Sequence, residues 1–362
     1  MKDEAVLSSM LFNAEDGLKT LKRQHALMAL RVRSFVRHEI GVDWRNKKLL
    51  LSLSGGIDST ALLCLLLALR PMEGFSIEAF HLDHALREES HEDADFVKLL
   101  CRHWQVPLYM RREDIAARAL RCGIGEEEAG RNARREFLLE ILHQNSADWV
   151  LLAHHSDDLA EDILMRLTRG AVWPALGGMQ GCDNSGGLPL LRPLLMENKA
   201  DLRKLLESLC IPWREDRTNA ERIGRRNRMR LDVLPLLKEE NPAFNDVARR
   251  LWRSARQDEQ YWQKQLESLL QSCPVTDEGL LLPHDSLSSL PESTRLRFYM
   301  AALSKLFLSR GESRGQGRHK VLLALDRAVA DKRHGKMFQF SGNTVAEVSA
   351  RGVLFRFAGE QK

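Results

Sequence analysis

Residues 48–53, Lys-Leu-Leu-Leu-Ser-Leu, run straight into Ser54-Gly55-Gly56-Ile57-Asp58-Ser59, and that loop runs into a leucine-rich stretch over residues 60–69. A short apolar run without alternation predicts a strand buried on both faces, as in a parallel sheet. The leucine-rich stretch predicts a helix. Strand, glycine-rich loop and helix in that order make a cradle for phosphate. Glycines let the backbone come close, and hydroxyls and free amides at the helix start bind anionic oxygens. The Lys-Ser/Thr ending of a Walker loop is missing, which argues against γ-phosphoryl transfer. Asp58 cannot itself bind phosphate, but it can hold a Mg²⁺ that does. The plainer alternative is a turn with an Asp or Ser helix cap, and the strand–loop–helix context speaks against it.

The rest of the first half repeats the alternation. Strands are expected at residues 76–82, 107–111 and 148–153, with helices at 90–104 and 126–143. An amphipathic helix rich in Arg and Lys is expected over residues 15–40. Such alternation predicts a doubly wound, mainly parallel α/β sheet. Residues 170–189, rich in Gly, Asn and Ser, read as a loop. Leu202, Leu205, Leu206 and Leu209 recur at helical spacing, residues 214–230 are dense in Arg, and residues 241–272 are helical in pattern. Val353, Phe355 and Phe357 alternate with other residues, and Ser341-Gly-Asn reads as a turn between strands. The expected division is a first, α/β domain over 1–215, a helical linker segment over 216–274, and a small α+β C-terminal domain over 275–362.

Composition narrows the class. With 362 residues, 44% hydrophobic and 29% charged, the chain can bury a large core and solvate its surface. The longest apolar run, residues 61–69, is about half of what spans a bilayer, so no membrane is expected. The start, Met-Lys-Asp-Glu, lacks the apolar stretch of a signal peptide. The six cysteines, Cys64, Cys101, Cys122, Cys182, Cys210 and Cys273, include no pair separated by two residues. That gives no zinc, iron–sulfur or redox-pair signal and fits a reducing cytoplasm. A net charge of +4 and a pI of 8.7 permit a polyanionic partner without requiring one.

Four more segments carry chemistry. His81-Leu-Asp83-His84-Ala-Leu-Arg87 ends the second strand, where an open α/β sheet binds ligands. Arg131 and Arg134, three apart in Glu127-Glu-Ala-Gly-Arg-Asn-Ala-Arg, share a helical face and can grip phosphates together. Ala153-His154-His155-Ser-Asp157-Asp158-Leu-Ala-Glu161 leads from the fourth strand into a helix, with Asp158 and Glu161 on one face. Asp216-Arg-Thr218-Asn219 precedes Arg226-Asn227-Arg228-Met-Arg230. Each has a plainer reading. The carboxylates can be a solvated pair favouring the helix dipole, Asp83 an Asx turn, His154 a satisfied structural histidine, and the arginines a solvated face. Two adjacent histidines cannot both point one way, and no third follows, so a His-based metal site is not indicated.

Ser-Gly-Gly-x-Asp-Ser resembles the PP-loop of ATP pyrophosphatases, the adenine nucleotide α hydrolase-like enzymes that form adenylates and release pyrophosphate. The ordered set, residues 47 to 237, is similar to that of the tRNA(Ile)-lysidine synthetases. Those carry His-x-Asp-His-x-Leu-Arg, then Ala-His-His-x-Asp-Asp-x-x-Glu with a following Arg-Gly. Asp-x-Thr-Asn and Arg-Asn-x-x-Arg complete the set, and all are present here in order. Three positions depart from the pattern: Arg135 stands where Tyr is usual, Leu159 where Gln is usual, and Trp173-Pro174 follows Arg169-Gly170. Family members can carry a further C-terminal domain, and this chain is expected to stop before it.

The resemblance implies that ATP adenylates the carbonyl oxygen at position 2 of the wobble cytosine in an isoleucine tRNA with a CAU anticodon. The ε-amine of free L-lysine then attacks carbon 2 and expels AMP. It implies a PP-loop ATP-binding catalytic domain over 1–215, a tRNA-contacting linker over 216–274, a tRNA-binding domain over 275–362, and catalytic roles for Asp58, Arg131, Asp158 and Glu161. ATP would lie against Ser54, Gly55, Gly56, Ile57, Asp58, Ser59, His84, Arg134 and His154. Lysine would meet Asp158 and Glu161, Mg²⁺ would meet Asp58 and Asp83, and tRNA phosphates would meet Arg225, Arg226, Arg228 and Arg230. A homodimer is left open. Rival readings are a tRNA thiolase, which often uses paired cysteines, an amidotransferase-type synthetase, which needs a glutamine-hydrolysing domain, and a catalytically silent RNA-binding protein.

Overall fold

Leu49, Leu50 and Leu51 of the first strand, β1 (Lys48–Ser52), are all fully buried. The side chains alternate between two cores. Leu49 and Leu51 pack with Ala61, Leu62 and Leu65 of α2 (Ile57–Glu73), while Leu50 meets Phe80, Phe137, Leu138 and Val150 on the other face. A helix layer on each side is what a continuous apolar strand requires. The structure is a computed structural model describing residues 10–84, 90–184, 187–215, 224–309 and 319–359. Arg87, the Asp216-x-Thr218-Asn219 segment, Glu221 and Arg222 lie outside the described residues.

The chain divides into two compact units, Met1–Ser254 and Ala255–Lys362. In the first, α1 (Arg23–Ser34) precedes β1 and α2, followed by β2 (Ser76–Asp83), α3 (Ser90–His103) and β3 (Leu108–Arg112). Next come α4 (Ile115–Cys122), α5 (Glu126–Asn145), β4 (Trp149–Leu151), α6 (Ser156–Thr168), β5 (Cys182–Asp183), β6 (Leu190–Leu191) and α7 (Lys199–Ser208). The sheet order is β3-β2-β1-β4-β6-β5, parallel except for the β5–β6 pair. Strand order therefore reverses between β1 and β4, and the loops leaving those two strands border one crevice.

Three local readings need correction. The N-terminal amphipathic pattern over 15–40 is broken. Gly17–Thr20 is a short 3₁₀ turn, and α1 begins at Arg23 before running on through Phe35–Ile40. Gly17 has φ +58°, a conformation an α-helix does not contain. Helix α4 was not expected. It is capped by Asp114, whose side chain accepts from the Ala117 amide at 2.8 Å, and closed by Gly123. The 170–189 loop contains β5, whose two residues are too short to show a period.

Past α7, a short helix α8 (Arg225–Arg228) continues through Met229–Val233 into α9 (Leu234–Glu240), and α10 (Phe244–Gln271) follows. Leu234, Ala248 and Trp252 pack with Leu159, Ala160 and Ile163 of α6. The second unit has an antiparallel sheet in the order β7-β8-β11-β10-β9, formed by Val275–Thr276, Gly279–Pro283, Gly352–Phe357, Thr344–Ser349 and Met337–Phe340 respectively. Val353, Phe355 and Phe357 face its core, as their alternation predicts. After the short α11 (His284–Ser288), Phe298, Tyr299 and Leu303 of α12 (Glu292–Leu308) and Leu322 and Leu325 of α13 (His319–Ala330) fill it. Among the described residues, Asp326 of α13 is the buried charged residue of this unit. It accepts two hydrogen bonds from Arg295, both at 2.7 Å, and one from the Tyr299 hydroxyl at 2.9 Å. Asp326→Ala is expected to destabilise this unit by about 3 kcal/mol, the low end for breaking a buried pair because Arg295 keeps some access to water. Amide-exchange protection of α12 and α13 in the full chain measures the loss.

Candidate active site

The crevice starts at the phosphate loop. Gly55 takes φ +82°, and a Cβ there would stand 3.1 Å from Val97 and 3.2 Å from Phe96 of α3. Ser54 and Ser59 tie the loop, with their Oγ atoms 3.0 Å apart. Ser54 Oγ also accepts from the Gly56 amide at 3.3 Å, and Ser59 Oγ donates to the Gly56 carbonyl at 3.1 Å. Gly56 begins α2 with no side-chain cap, so the first-turn amides of α2 face the crevice without one. The loop is held from the far side by the Arg214 amide, which donates to the Gly55 carbonyl at 2.9 Å.

Asp58 projects from that first turn. Its Oδ2 lies 3.5 Å from His155 Nε2 and 3.7 Å from Lys199 Nζ. Its Oδ1 is buried and accepts no hydrogen bond. A hard cation bound by one or two carboxylates and substrate phosphates fits such an oxygen. Among the described residues no group of three or more His, Cys, Asp or Glu could hold a metal ion alone. Asp83 closes β2 with its Oδ2 3.5 Å from Arg112 Nε.

Opposite, α6 opens with a reciprocal cap. The Asp157 amide donates to His155 Nδ1 at 3.2 Å, and the His155 amide donates to Asp158 Oδ2 at 2.9 Å. Nδ1 is thus the acceptor, and Nε2 carries the proton towards Asp58 and Asp158, at 3.5 Å each. Burial alone would lower the His155 pKa, but Asp158, Asp58 and Asp157 together raise it. Burial pushes His154 down to about 4 against the pull of Asp158, so this ring is neutral at pH 7. Its Nδ1 is buried without a hydrogen-bond partner.

Asp158 and Glu161 are buried, and two arginines from the Arg-dense segment meet them. Arg226 donates to Asp158 Oδ1 at 2.8 Å and to Glu161 Oε2 at 2.9 Å. Arg230 donates to Glu161 at 2.6 Å and 3.2 Å and to Asp158 at 3.3 Å. Burial would raise the Asp158 pKa, but His155, His154 and Arg226 hold it well below the carboxylate range. The residues expected on lysine and two of those expected on tRNA are therefore joined to each other. Arg226 and Arg230, four apart, face inward, whereas Arg225 and Arg228, three apart, are exposed.

The remaining expected residues lie elsewhere. Arg134 Nη2 sits 3.3 Å from His84 Nε2, and Arg131 is exposed and pairs with Glu127 at 3.1 Å. Of the three departures, Leu159 is fully buried, packed with Leu234 and Trp252. Sequence reasoning missed Lys199, Asn198, Lys238 and Asn245. Asn198 accepts from Ser156 Oγ at 3.2 Å, and Lys238 pairs with Asp157 at 2.7 Å. None lies in a glycine-rich or charge-paired motif, so spacing alone gave no signal. Lys199, His155, Asp157, Glu161, Arg230 and Lys238 are among the residues lining a cavity of about 450 Å³.

Residues 28–237 match the PP-loop domain family. The chain is similar to a tRNA(Ile)-lysidine synthase of Nitratidesulfovibrio vulgaris, 39% identical over 334 residues that cover 88% of this chain and 94% of that one. Similar proteins of the same name in Solibacter usitatus and Bacillus subtilis are 33% and 34% identical, over 78% and 59% of this chain. The chain spans 62% and 46% of their lengths. Among solved structures, a U34-tRNA thiolase from Methanococcus maripaludis superposes with a TM-score of 0.50 at 17% identity, over 64% of this chain and 80% of that one, which shows a shared fold alone.

Proposed function

Because the chain belongs to the tRNA(Ile)-lysidine synthase family of PP-loop proteins, we propose that it ligates L-lysine to carbon 2 of the wobble cytidine of an isoleucine tRNA with a CAU anticodon. The family itself uses ATP to modify tRNA. The observation that carries the finer reading is the buried pair Asp158 and Glu161, already holding two side-chain cations, beside a phosphate loop it reaches through His155 and Asp58. A cation site adjoining an ATP site suits a ligase that joins a cationic amino acid to an adenylated base.

In the first step the cytosine carbonyl oxygen attacks the α-phosphorus of ATP. The bond to the bridging oxygen breaks, and pyrophosphate leaves with the electron pair. Ser54, Gly55, Gly56, Ile57 and Ser59 would supply donors or close backbone to the phosphates, and Arg134, beside His84, and Arg131 would add positive charge. Mg²⁺ on the unpaired oxygen of Asp58 would offset phosphate charge, and Asp83 is the second candidate ligand. Neutral His154, with an unfilled Nδ1, suits contact with a nucleotide. In the second step the lysine ε-amine, having lost a proton, attacks carbon 2. The carbon–oxygen bond breaks, and AMP leaves. Asp158 and Glu161 would receive the cationic end of lysine in exchange for part of their contact with Arg226 and Arg230. Arg225 and Arg228, exposed on the neighbouring face, suit tRNA phosphates.

The test of function is mass analysis of nucleosides from CAU-anticodon isoleucine tRNA after incubation with the protein, ATP and lysine. Lysidine is expected only when all three are present, and an unmodified cytidine would overturn the reading. Asp158→Asn is expected to release pyrophosphate with tRNA yet need roughly ten- to hundredfold more lysine, the loss of a charge-assisted hydrogen bond. If both products fall together at saturating lysine, the carboxylates serve the ATP site. Replacing Arg225 and Arg228 by Ala is expected to flatten the salt dependence of tRNA binding by roughly one unit of slope per lost contact, with ATP affinity unchanged. Filter binding over a range of salt concentrations reads the slope.

A further inference from the structure

Lys199 is the first residue of α7, and the two residues before it are tied to the start of α6. The Ser156 amide donates to the Glu197 carbonyl at 3.0 Å, and Ser156 Oγ donates to Asn198 at 3.2 Å. Leu194 and Leu195 just before it are fully buried. The position is thus rigid, while the side chain is 39% exposed and lines the 450 Å³ cavity. The other cations there are committed. Arg230 is bound to Glu161 and Asp158, and Lys238 to Asp157. Lys199 has a single ion contact among the described residues, 3.7 Å to Asp58 Oδ2, too long for a hydrogen bond. A half-exposed pair at that distance stabilises a fold very little. Holding Asp58 therefore does not account for an ammonium placed here.

We propose that Lys199 is a further ATP-binding residue, whose ammonium takes the β- and γ-phosphates that become the leaving pyrophosphate. The inference rests on the ATP reading of the site above. Asp58 belongs to the phosphate loop, so a cation 3.7 Å from it lies at the edge of the space the phosphates occupy. Asp58 has two oxygens in different surroundings: Oδ2 faces Lys199 and His155, and Oδ1 is buried without a hydrogen-bond partner. The ammonium lies on the Oδ2 side of the carboxylate, so a metal held at Oδ1 would not displace it. Its three donors are then available to phosphate oxygens. When the α-phosphorus is attacked and its bond to the bridging oxygen breaks, the electron pair goes to pyrophosphate. Lys199 offsets the charge that gathers there, and no proton has to move.

The experiment is isothermal titration calorimetry on the full chain and its Lys199→Met and Lys199→Arg variants, with Mg²⁺ present, using ATP, inorganic pyrophosphate and AMP as ligands. Lys199→Met is expected to weaken ATP and pyrophosphate by roughly ten- to hundredfold, the effect of one charge-assisted hydrogen bond, while AMP affinity is unchanged. Lys199→Arg is expected to recover most of the loss, because a cation of similar reach is restored. Undiminished ATP binding by Lys199→Met overturns the assignment. So does a parallel loss of AMP, which would place the ammonium on the α-phosphate or give it a structural role. Wild-type protein that binds no MgATP would instead overturn the ATP reading of the whole crevice, a result distinguishable from both.

Discussion

The three consecutive leucines of β1 have no exposed side, and the first unit is arranged around that constraint. A strand buried on both faces needs a helix layer above and below, so its neighbours must be parallel strands joined by crossover helices. Helices α2 and α7 cover one face with Leu62, Leu65, Leu202 and Leu205, and α5 covers the other with Phe137 and Leu138. Because β1 is flanked by β2 on one side and β4 on the other, the chain reverses direction of travel beside it. The loops after β1 and β4 then have nowhere to run but along the same crevice. Asp58 and His155 come within 3.5 Å although 97 positions separate them in the numbering, from 58 to 155.

Charge completes what packing begins. Asp158 and Glu161 could not be buried as anions alone, since leaving water costs several kcal/mol per ion. Arg226 and Arg230 supply the compensation with matched geometry: pairs spaced three apart on α6 meet pairs spaced four apart on the segment leaving α8. This contact fixes the Arg-dense segment against α6, and Leu234 packing on Leu159 and Ile163 continues it. One stretch of sequence thereby serves two ends. Its inward arginines complete a neutral buried cluster, and its outward ones, Arg225 and Arg228, stay in solvent. A substrate cation entering this cluster meets carboxylates that are already paired, so binding is an exchange of partners rather than the filling of an empty anion site.

Much of this was legible in the sequence because it is local. The strand–loop–helix at residues 48–69 is contiguous, and its glycines and apolar run each have a direct structural meaning. The alternation of Val353, Phe355 and Phe357 likewise reported their shared face. The family resemblance rested on the order of short segments, each internally complete, and the comparisons place the chain in that family. Helix α4 was missed although Asp114 and Gly123 bracket it, because eight residues hold barely two turns of periodic signal. The run over 15–40 reads as one helix in the sequence because Gly17 and the break before Arg23 do not disturb its charge pattern.

What no local pattern could contain is pairing between distant segments. The sequence determined that Arg226 and Arg230 share one helical face, that Arg225 and Arg228 share another, and that Asp158 and Glu161 share a third. Only the tertiary structure decided which of these faces meet, because an ion pair across 65 residues depends on where the sheet delivers each helix. The same holds for Lys199, an unremarkable lysine at the start of a helix until the strand order sets it beside Asp58. Residue type and spacing specify what a side chain can do. The reversal of strand order between β1 and β4 specifies what it does it to, since proximity in a fold is a property of the sheet and not of the segment.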